Sequence, residues 1–282
     1  MKNVSETLAG RIAILELPPF SYRKVPESGN DLAEVLWTGL FPEPCLYPEK
    51  RDLWLKSYLQ TYLERDVRQL ENIRDFRAFE MFVNLIAAHH GQEFHPATLG
   101  RDCGITQPTI KTWAKTLEAS YLVVMLPPFF NNYGKRVIKA PKFYFVDPSL
   151  VCYLSGQPSG ETALRGSMGG ALFEGLLVVE AWKAFTNKGQ RPAVFYWRAK
   201  GGLEVDMIIR MKGKYWPIEI KLTATPTARH AQPLNRFRAL AGDDASESGI
   251  LVCRIDNPTQ LPGKNIALPW QDFPGWLENN MN

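Results

Sequence analysis

Four ionisable side chains, Glu204, Asp206, Glu219 and Lys221, lie within one short stretch and have the makings of a reaction centre. Two apolar-rich segments, Leu203 to Arg210 and Tyr215 to Leu222, are joined by Met211-Lys-Gly-Lys214. A two-residue turn at Lys212-Gly213 makes Met211 oppose Lys214, which carries Asp206 opposite Glu219 and Glu204 opposite Lys221. Alternation along the strands puts these four on one face and Leu203, Val205, Met207, Ile218, Ile220 and Leu222 on the other. Two opposed carboxylates repel each other unless something positive lies between them. Mg²⁺ or Mn²⁺ suits the place, because Mg²⁺ is held by one or two carboxylates and leaves its other positions to water and phosphate oxygens. Lys221, two residues beyond Glu219, is placed to orient an attacking water and to offset charge on a phosphate under attack. The chemistry expected is metal-dependent phosphodiester hydrolysis with Asp206, Glu219 and Lys221 as catalytic residues. The plainer reading is a surface ribbon with a Glu204–Lys221 cross-strand salt bridge and an exposed Asp206.

A ribbon of this kind needs a scaffold, and the flanking sequence predicts one. A helix from about Ala171 to Asn187 and a strand from Val194 to Trp197 precede it; another helix and a strand from Gly249 to Cys253 follow. Helix and sheet alternate, so the region from residue 169 to 282 reads as α/β. The order Glu204-Val-Asp206, then Ile218-Glu-Ile-Lys221, resembles the PD-(D/E)xK, restriction-endonuclease-like nucleases. In that superfamily a carboxylate on the first helix often completes the site. Glu174, in Leu172-Phe-Glu-Gly175, matches that position, so the resemblance implies Glu174, Asp206 and Glu219 as the metal ligands. Glu174 also shares a helical stripe with Leu177, Val178 and Ala181, an unfavourable place for an acid without a partner. Glu180 is the weaker substitute.

Upstream, residues 72–154 read as a winged helix-turn-helix. An amphipathic helix carries Phe79, Phe82, Val83, Leu85 and Ile86, and the turn Gly104-Ile-Thr106 follows Thr98 to Cys103. Thr106 sits where an N-cap belongs and Pro108 near the first helical position of a helix running to Ser120. Apolar runs from Tyr121 to Leu126 and from Lys142 to Val146 flank a basic tip, as a β-hairpin wing would. Between Thr98 and Lys142 there are seven basic residues (Arg101, Lys111, Lys115, Lys135, Arg136, Lys139, Lys142) against two acids (Asp102, Glu118), a local excess of +5. Nucleic acid is the expected partner. Thr109, Lys111, Lys115, Lys135, Arg136 and Lys139 would face phosphates, with Gln107 or Thr112 near base edges. Protein docking is the alternative use of such a module.

Residues 1–71 offer less: a short cap-like turn at Ser5 to Arg11, an apolar run from Ile12 to Leu17, then prolines and a helix leading to Tyr62-Leu-Glu-Arg-Asp66. A lone strand cannot cover its own edge, so this segment is expected to be loosely ordered or packed on another chain. With the winged-helix region, Lys142-Phe-Tyr-Phe-Val-Asp147 and the acidic ribbon, it resembles the C-terminal half of a group of bacterial and archaeal AAA-type ATPases. That resemblance implies an ATPase-domain remnant at 1–71, a winged-helix domain at 72–154, a linker at 155–168 and a nuclease-like domain at 169–282. It also implies an ATPase subunit or a second copy as a partner through residues 1–71. No GxxxxGK[ST] occurs in the sequence, so no ATP site and no ATPase activity are expected of this chain alone.

The 282 residues, 45% hydrophobic and 12% aromatic, exclude disorder as the main state. No apolar run approaches the ~20 residues of a membrane helix, and the N-terminal charges do not fit a signal peptide, so a cytoplasmic protein is expected. Cys45, Cys103, Cys152 and Cys253 form no zinc-ligand pattern and are expected as small buried hydrophobes. His89, His90 and His95 lack complementary ligands and are expected to be structural or solvated; Trp113, Trp182, Trp197 and Trp216 are expected in or beside the core. Taken together, the sequence describes a DNA-binding, nuclease-like protein, a truncated relative of AAA-type ATPases. The alternative is a noncatalytic DNA- or protein-binding regulatory module of an ATPase.

Overall fold

The computed structural model describes residues 16–25, 31–62, 75–130, 140–199 and 201–281. They form a mixed α+β structure with two sheets. The described residues before Gly169 are mainly helical. Three helices, α1 (Leu32–Thr38), α2 (Pro42–Leu46) and α3 (Arg51–Thr61), come first. α4 (Phe76–Ala88) starts where the Asp75 side chain accepts the Ala78 N–H at 3.0 Å, and it buries Phe79, Phe82, Val83 and Ile86. α5 (Pro96–Cys103) stops at Gly104, whose φ of 68° is the left-handed region that favours glycine. α6 (Gln107–Ala119) opens at Thr106, whose hydroxyl accepts the Thr109 N–H at 3.4 Å, with Pro108 in the first turn. Two strands, β1 (Val123–Leu126) and β2 (Lys142–Phe145), then pair antiparallel, with Leu126 opposite Lys142. The expected basic tip, including Lys135, Arg136 and Lys139, lies outside the described residues.

Two further helices connect this part to the second sheet. α7 (Pro148–Leu154) is capped by Asp147, whose buried carboxylate accepts the Ser149 N–H at 2.9 Å and the Leu40 N–H at 2.6 Å. Within the stretch expected as a linker, α8 (Gly160–Arg165) buries Ala163 and Leu164 and packs on α1. The expectation of a loosely ordered or externally covered front segment is corrected over residues 31–62. Leu32, Val35, Leu36, Leu40, Leu55 and Leu59 are buried within the chain, because α7, α8 and α9 supply the apolar partners that the isolated sequence lacks. Farther upstream, the Tyr22 hydroxyl donates to the Trp270 carbonyl at 2.5 Å.

The long helix α9 (Gly169–Thr186) packs beside a six-stranded sheet. Its strands are β3 (Val194–Arg198), β4 (Glu204–Met211), β5 (Lys214–Ile220), β6 (Ile250–Cys253), β7 (Thr259–Leu261) and β8 (Asn265–Pro269), in the spatial order β3-β4-β5-β6-β8-β7. β3, β4 and β5 are antiparallel, and β5, β6 and β8 are parallel. Helix α10 (Gln232–Ala241) precedes β6, and α11 (Phe273–Met281) ends the described chain.

The β4–β5 register is the one the turn at Lys212-Gly213 predicts, from Met211 opposite Lys214 to Met207 opposite Ile218. Simple alternation fails one residue earlier. Val194 and Phe195 face Ile209 and Ile208, but Trp197 and Arg198 face Val205 and Glu204. Asp206 and Met207 therefore share the place opposite Tyr196, which is a β-bulge. Its effect shows in the core: Val205 and Ile208 pack with Leu234 and Phe237 of α10, whereas Met207 and Ile209 join the main cluster with Ile218 and Ile220.

Candidate functional site

Asp206 sits at the bulge, and the bulge settles what its carboxylate meets. Oδ2 accepts the Ile220 N–H at 2.8 Å and the Lys221 ammonium at 2.9 Å. The same ammonium lies 2.6 Å from Glu219 Oε1. Asp206 and Glu219 are buried, at 6% and 4% exposure, while the Lys221 side chain keeps 38%. The positive group demanded between the two carboxylates is thus, in the first place, Lys221 itself. Glu219 Oε2 is buried with no hydrogen-bond partner.

Glu174 reaches the same centre from α9. Its Oε1 accepts the Lys142 ammonium at 2.9 Å and the Tyr144 hydroxyl at 2.6 Å. Lys142 also lies 2.5 Å from Glu204 Oε1, and Arg198 bonds Glu204 on its other side and Glu93 at 2.6 Å. The expected Glu204–Lys221 bridge is therefore replaced by pairs to Lys142 and Arg198. None of these four partners, Lys142, Tyr144, Arg198 and Glu93, was legible as part of the site. Lys142 counts in sequence among surface bases, but it is buried at 5% exposure because β2 passes against the acidic face.

The electrostatics follow from this crowding. Burial, then the neighbouring Asp206, pushes the Glu219 carboxyl up to about 8, against the pull of Lys221. Burial and Asp206 likewise raise Glu174, opposed by Lys142 and Tyr144. Burial works against ionisation of Glu204 too, but Lys142 and Arg198 outweigh it and hold its carboxyl below the ordinary range. For Lys142 and Lys221 the carboxylates outweigh burial, so both stay cationic.

Two features fit a divalent cation: Asp206 and Glu219 converge on one small positive charge, and one Glu219 oxygen is buried and unpartnered. One feature does not fit the full expected set. Among the described residues no three His, Cys, Asp or Glu side chains are grouped so as to hold an ion. The three expected ligands are divided: Asp206 and Glu219 share Lys221, while Glu174 is committed to Lys142 and Tyr144.

Glu180, the weaker substitute, points to a separate use. It is buried at 3% exposure and engages Ser21 and the Tyr22 backbone, near Lys183, whose ammonium donates to the Phe20 carbonyl at 2.8 Å. His90 is structural: its Nδ1 accepts the Phe145 N–H at 3.2 Å, and burial pushes its pKa down to about 3. Gly175 makes room for that ring, since a β-carbon there would lie 2.1 Å from His90 Nε2.

The expected nucleic-acid residues are placed as follows. Gln107, Lys111 and Lys115 are exposed at four-residue spacing along α6. Thr109 is half-buried and its hydroxyl is bonded to that of Thr106 at 2.8 Å, within the N-terminal cap that Thr106 makes.

Residues 29–161 match the family described as Domain of unknown function (DUF8612), and residues 169–273 match Domain of unknown function (DUF4143). The chain is 32% identical over 226 residues to Uncharacterized protein Rv2008c of Mycobacterium tuberculosis and, equally, to Uncharacterized protein Mb2031c of Mycobacterium bovis. The similarity covers 79% of this chain and 50% of each relative, so the chain spans about half the length of the curated relatives it matches. No solved structure matches it. Lys142 and Tyr144 fall in the first matched stretch, and Glu174, Asp206, Glu219 and Lys221 in the second. No described helix is long and apolar enough to cross a membrane.

Proposed function

We propose that this chain is a nucleic-acid-binding protein with a PD-(D/E)xK-like site for metal-dependent phosphodiester hydrolysis, joined to a winged-helix region. The observation that carries the reading is the convergence of Asp206 and Glu219 on Lys221, at 2.9 and 2.6 Å, with one Glu219 oxygen left buried and unpartnered. Asp206 and Glu219 would hold Mg²⁺ or Mn²⁺, with Glu174 as the third carboxylate. Such an ion supplies polarisation of a phosphodiester and a more acidic bound water. Lys221 keeps enough exposure to meet that water and to balance charge on the phosphate. Asp206, anchored by the Ile220 N–H, gives the site a fixed point on the sheet. The exposed stripe Gln107, Lys111 and Lys115 would hold the nucleic-acid backbone. The resemblance to AAA-type ATPases enters here as well, as the ground for an ATPase partner, since the given sequence carries no GxxxxGK[ST].

The test is cleavage of labelled single- and double-stranded DNA and RNA with Mg²⁺ or Mn²⁺, comparing wild type with Lys221→Ala and Asp206→Ala. Metal-dependent cutting that falls by ~10²-fold or more in both variants is expected. Equal cutting by all three proteins sinks the assignment. A second reading, a noncatalytic DNA- or protein-binding module, is favoured by one observation: each carboxylate of the site already has an ammonium beside it. Nucleic-acid binding that needs no metal and survives Lys221→Ala, without cutting, would support it.

A further inference from the structure

The acidic centre belongs to the second part of the chain, yet one of its two ammonium groups comes from the first. Lys142 lies on β2, its backbone opposite Leu126 on one side and paired with that of Glu93 in an isolated β-bridge on the other, 32 residues before the acid it binds. Its position is fixed on several sides. The Phe94 N–H donates to the Pro141 carbonyl at 2.7 Å, the Tyr196 hydroxyl donates to the Ala140 carbonyl at 2.6 Å, and the Lys142 side chain is 6% exposed. A lysine so placed gives up its hydration and its rotamer freedom, which is unfavourable unless carboxylates compensate it. Glu174 and Glu204 compensate it here, at 2.9 and 2.5 Å. Tyr144, two residues on along β2, donates to the same Glu174 oxygen.

Glu174 is therefore held by two groups of one strand, and that strand lies outside the nuclease-like part. Its counterpart Glu219 is held by Lys221 alone and has a free buried oxygen. The difference matters for any divalent ion, since an ammonium and a metal ion cannot both occupy the near side of one carboxylate. We propose that Lys142 is an intramolecular competitor for the metal: Lys221, with 38% of its side chain exposed, can turn aside to free Asp206 and Glu219, whereas buried Lys142 holds Glu174, and this third carboxylate joins only when Lys142 lets go. Glu204, which Lys142 already touches, gives the released ammonium a place to remain, so release does not leave Lys142 unpaired. The winged-helix part would in this way set the metal affinity of the nuclease-like part. The inference rests on the metal-site reading above, and its test separates the two.

The experiment is Mn²⁺ binding to the full chain, followed by the electron paramagnetic resonance signal of the free ion. Wild type is compared with Lys142→Met, Tyr144→Phe and the double variant Lys142→Met/Glu174→Gln. Lys142→Met is expected to lower the Mn²⁺ Kd by about tenfold or more, and the double variant to lose that gain, which is the signature of coupled residues. Tyr144→Phe removes only one of two tethers and leaves the ring in place; it is expected to tighten binding by roughly threefold, and it answers the question if Lys142→Met fails to fold. Wild-type binding that neither Lys142→Met nor Tyr144→Phe strengthens overturns the competitor role and leaves the metal site standing. The competitor role is also overturned if Lys142→Met binds more tightly but the double variant keeps the gain, because Glu174 is then not the group released. Absence of binding in wild type and in all three variants overturns the metal site, and the competitor with it.

Discussion

Helix α9 carries two acids that the sequence ranks as first and weaker choice for one role, Glu174 and Glu180, and the structure gives them different surroundings. Glu174 faces charge brought from far along the chain: Lys142 and Tyr144 on β2, and the field of Asp206 on β4. Glu180 faces the Ser21 side chain and the Tyr22 backbone, with the charge of Lys183 one helical turn away. Burial raises the carboxyl of both. Burial alone is thus no mark of a reaction centre. The difference lies in whether the acid joins a shared cluster of charges, as Glu174 does with Lys142, Glu204 and Asp206, or is hydrogen-bonded to a passing segment, as Glu180 is to Ser21 and Tyr22.

The sharpest way to break this comparison is to neutralise each acid without changing its shape. Glu174→Gln is expected to lower metal-dependent cleavage by ~10²-fold, about 2.7 kcal/mol of transition-state stabilisation, and Glu180→Gln to leave cleavage within about twofold. Equal losses would mean that the helix as a whole, and not the Glu174 position, sets activity. Next in size is the reverse experiment on stability. Lys183→Met leaves the Phe20 carbonyl without its donor and Glu180 without the nearby charge that favours its ionised form, at a cost of about 1–3 kcal/mol in urea denaturation. A value near zero would show that the Phe20–Lys24 segment is not held by this pair.

Much of the scaffold was legible because local rules decide it. Thr106 and Pro108 mark the start of α6, Gly104 the end of α5, and Lys212-Gly213 the turn and register between β4 and β5. The site was legible along one strand pair and, through the family resemblance, at Glu174 on α9. Asp206, Glu219 and Lys221 are close in sequence, and a period-two count brings them together. The bulge opposite Tyr196 is invisible to such a count, because it arises from the fit of β3 to β4. Lys142 was misread for a related reason: a lysine beside Lys139 and Arg136 reads as surface charge until a sheet edge from elsewhere closes over it. β8, α7 and α8 escaped as well, being short segments whose burial depends on distant partners such as Asn265 with Asn235, and so did the largely exposed three-residue β7.

A pH titration probes the same centre with a smaller effect. Glu219 keeps its proton to about pH 8 when folded, against an ordinary 4.5. The folded chain then binds the extra proton between those values, so stability falls as pH rises across that window, by at most about 1.4 kcal/mol per pH unit. Glu219→Gln should flatten this slope. His90 has the opposite sign: its depressed pKa makes stability fall as pH drops below about 6.5. Urea denaturation at pH 5, 6, 7 and 8 separates the two, and an unchanged slope in Glu219→Gln would show that Glu219 is not the proton holder.

The least of the expected effects sharpens the contrast between buried and exposed charge. Lys142 is locked among carboxylates, whereas Lys111 and Lys115 stand free on α6, so only the latter can exchange counterions for phosphates. Each such contact contributes about 0.9 to the slope of log affinity against log salt on duplex DNA. Lys111→Ala with Lys115→Ala should therefore reduce the slope by roughly 2 and weaken binding similarly across sequences. Lys142→Met should leave the slope unchanged. A slope that falls with Lys142→Met instead would mean that β2 moves enough to present this lysine to the nucleic acid, and the division into a binding face and a buried reaction centre would have to be redrawn.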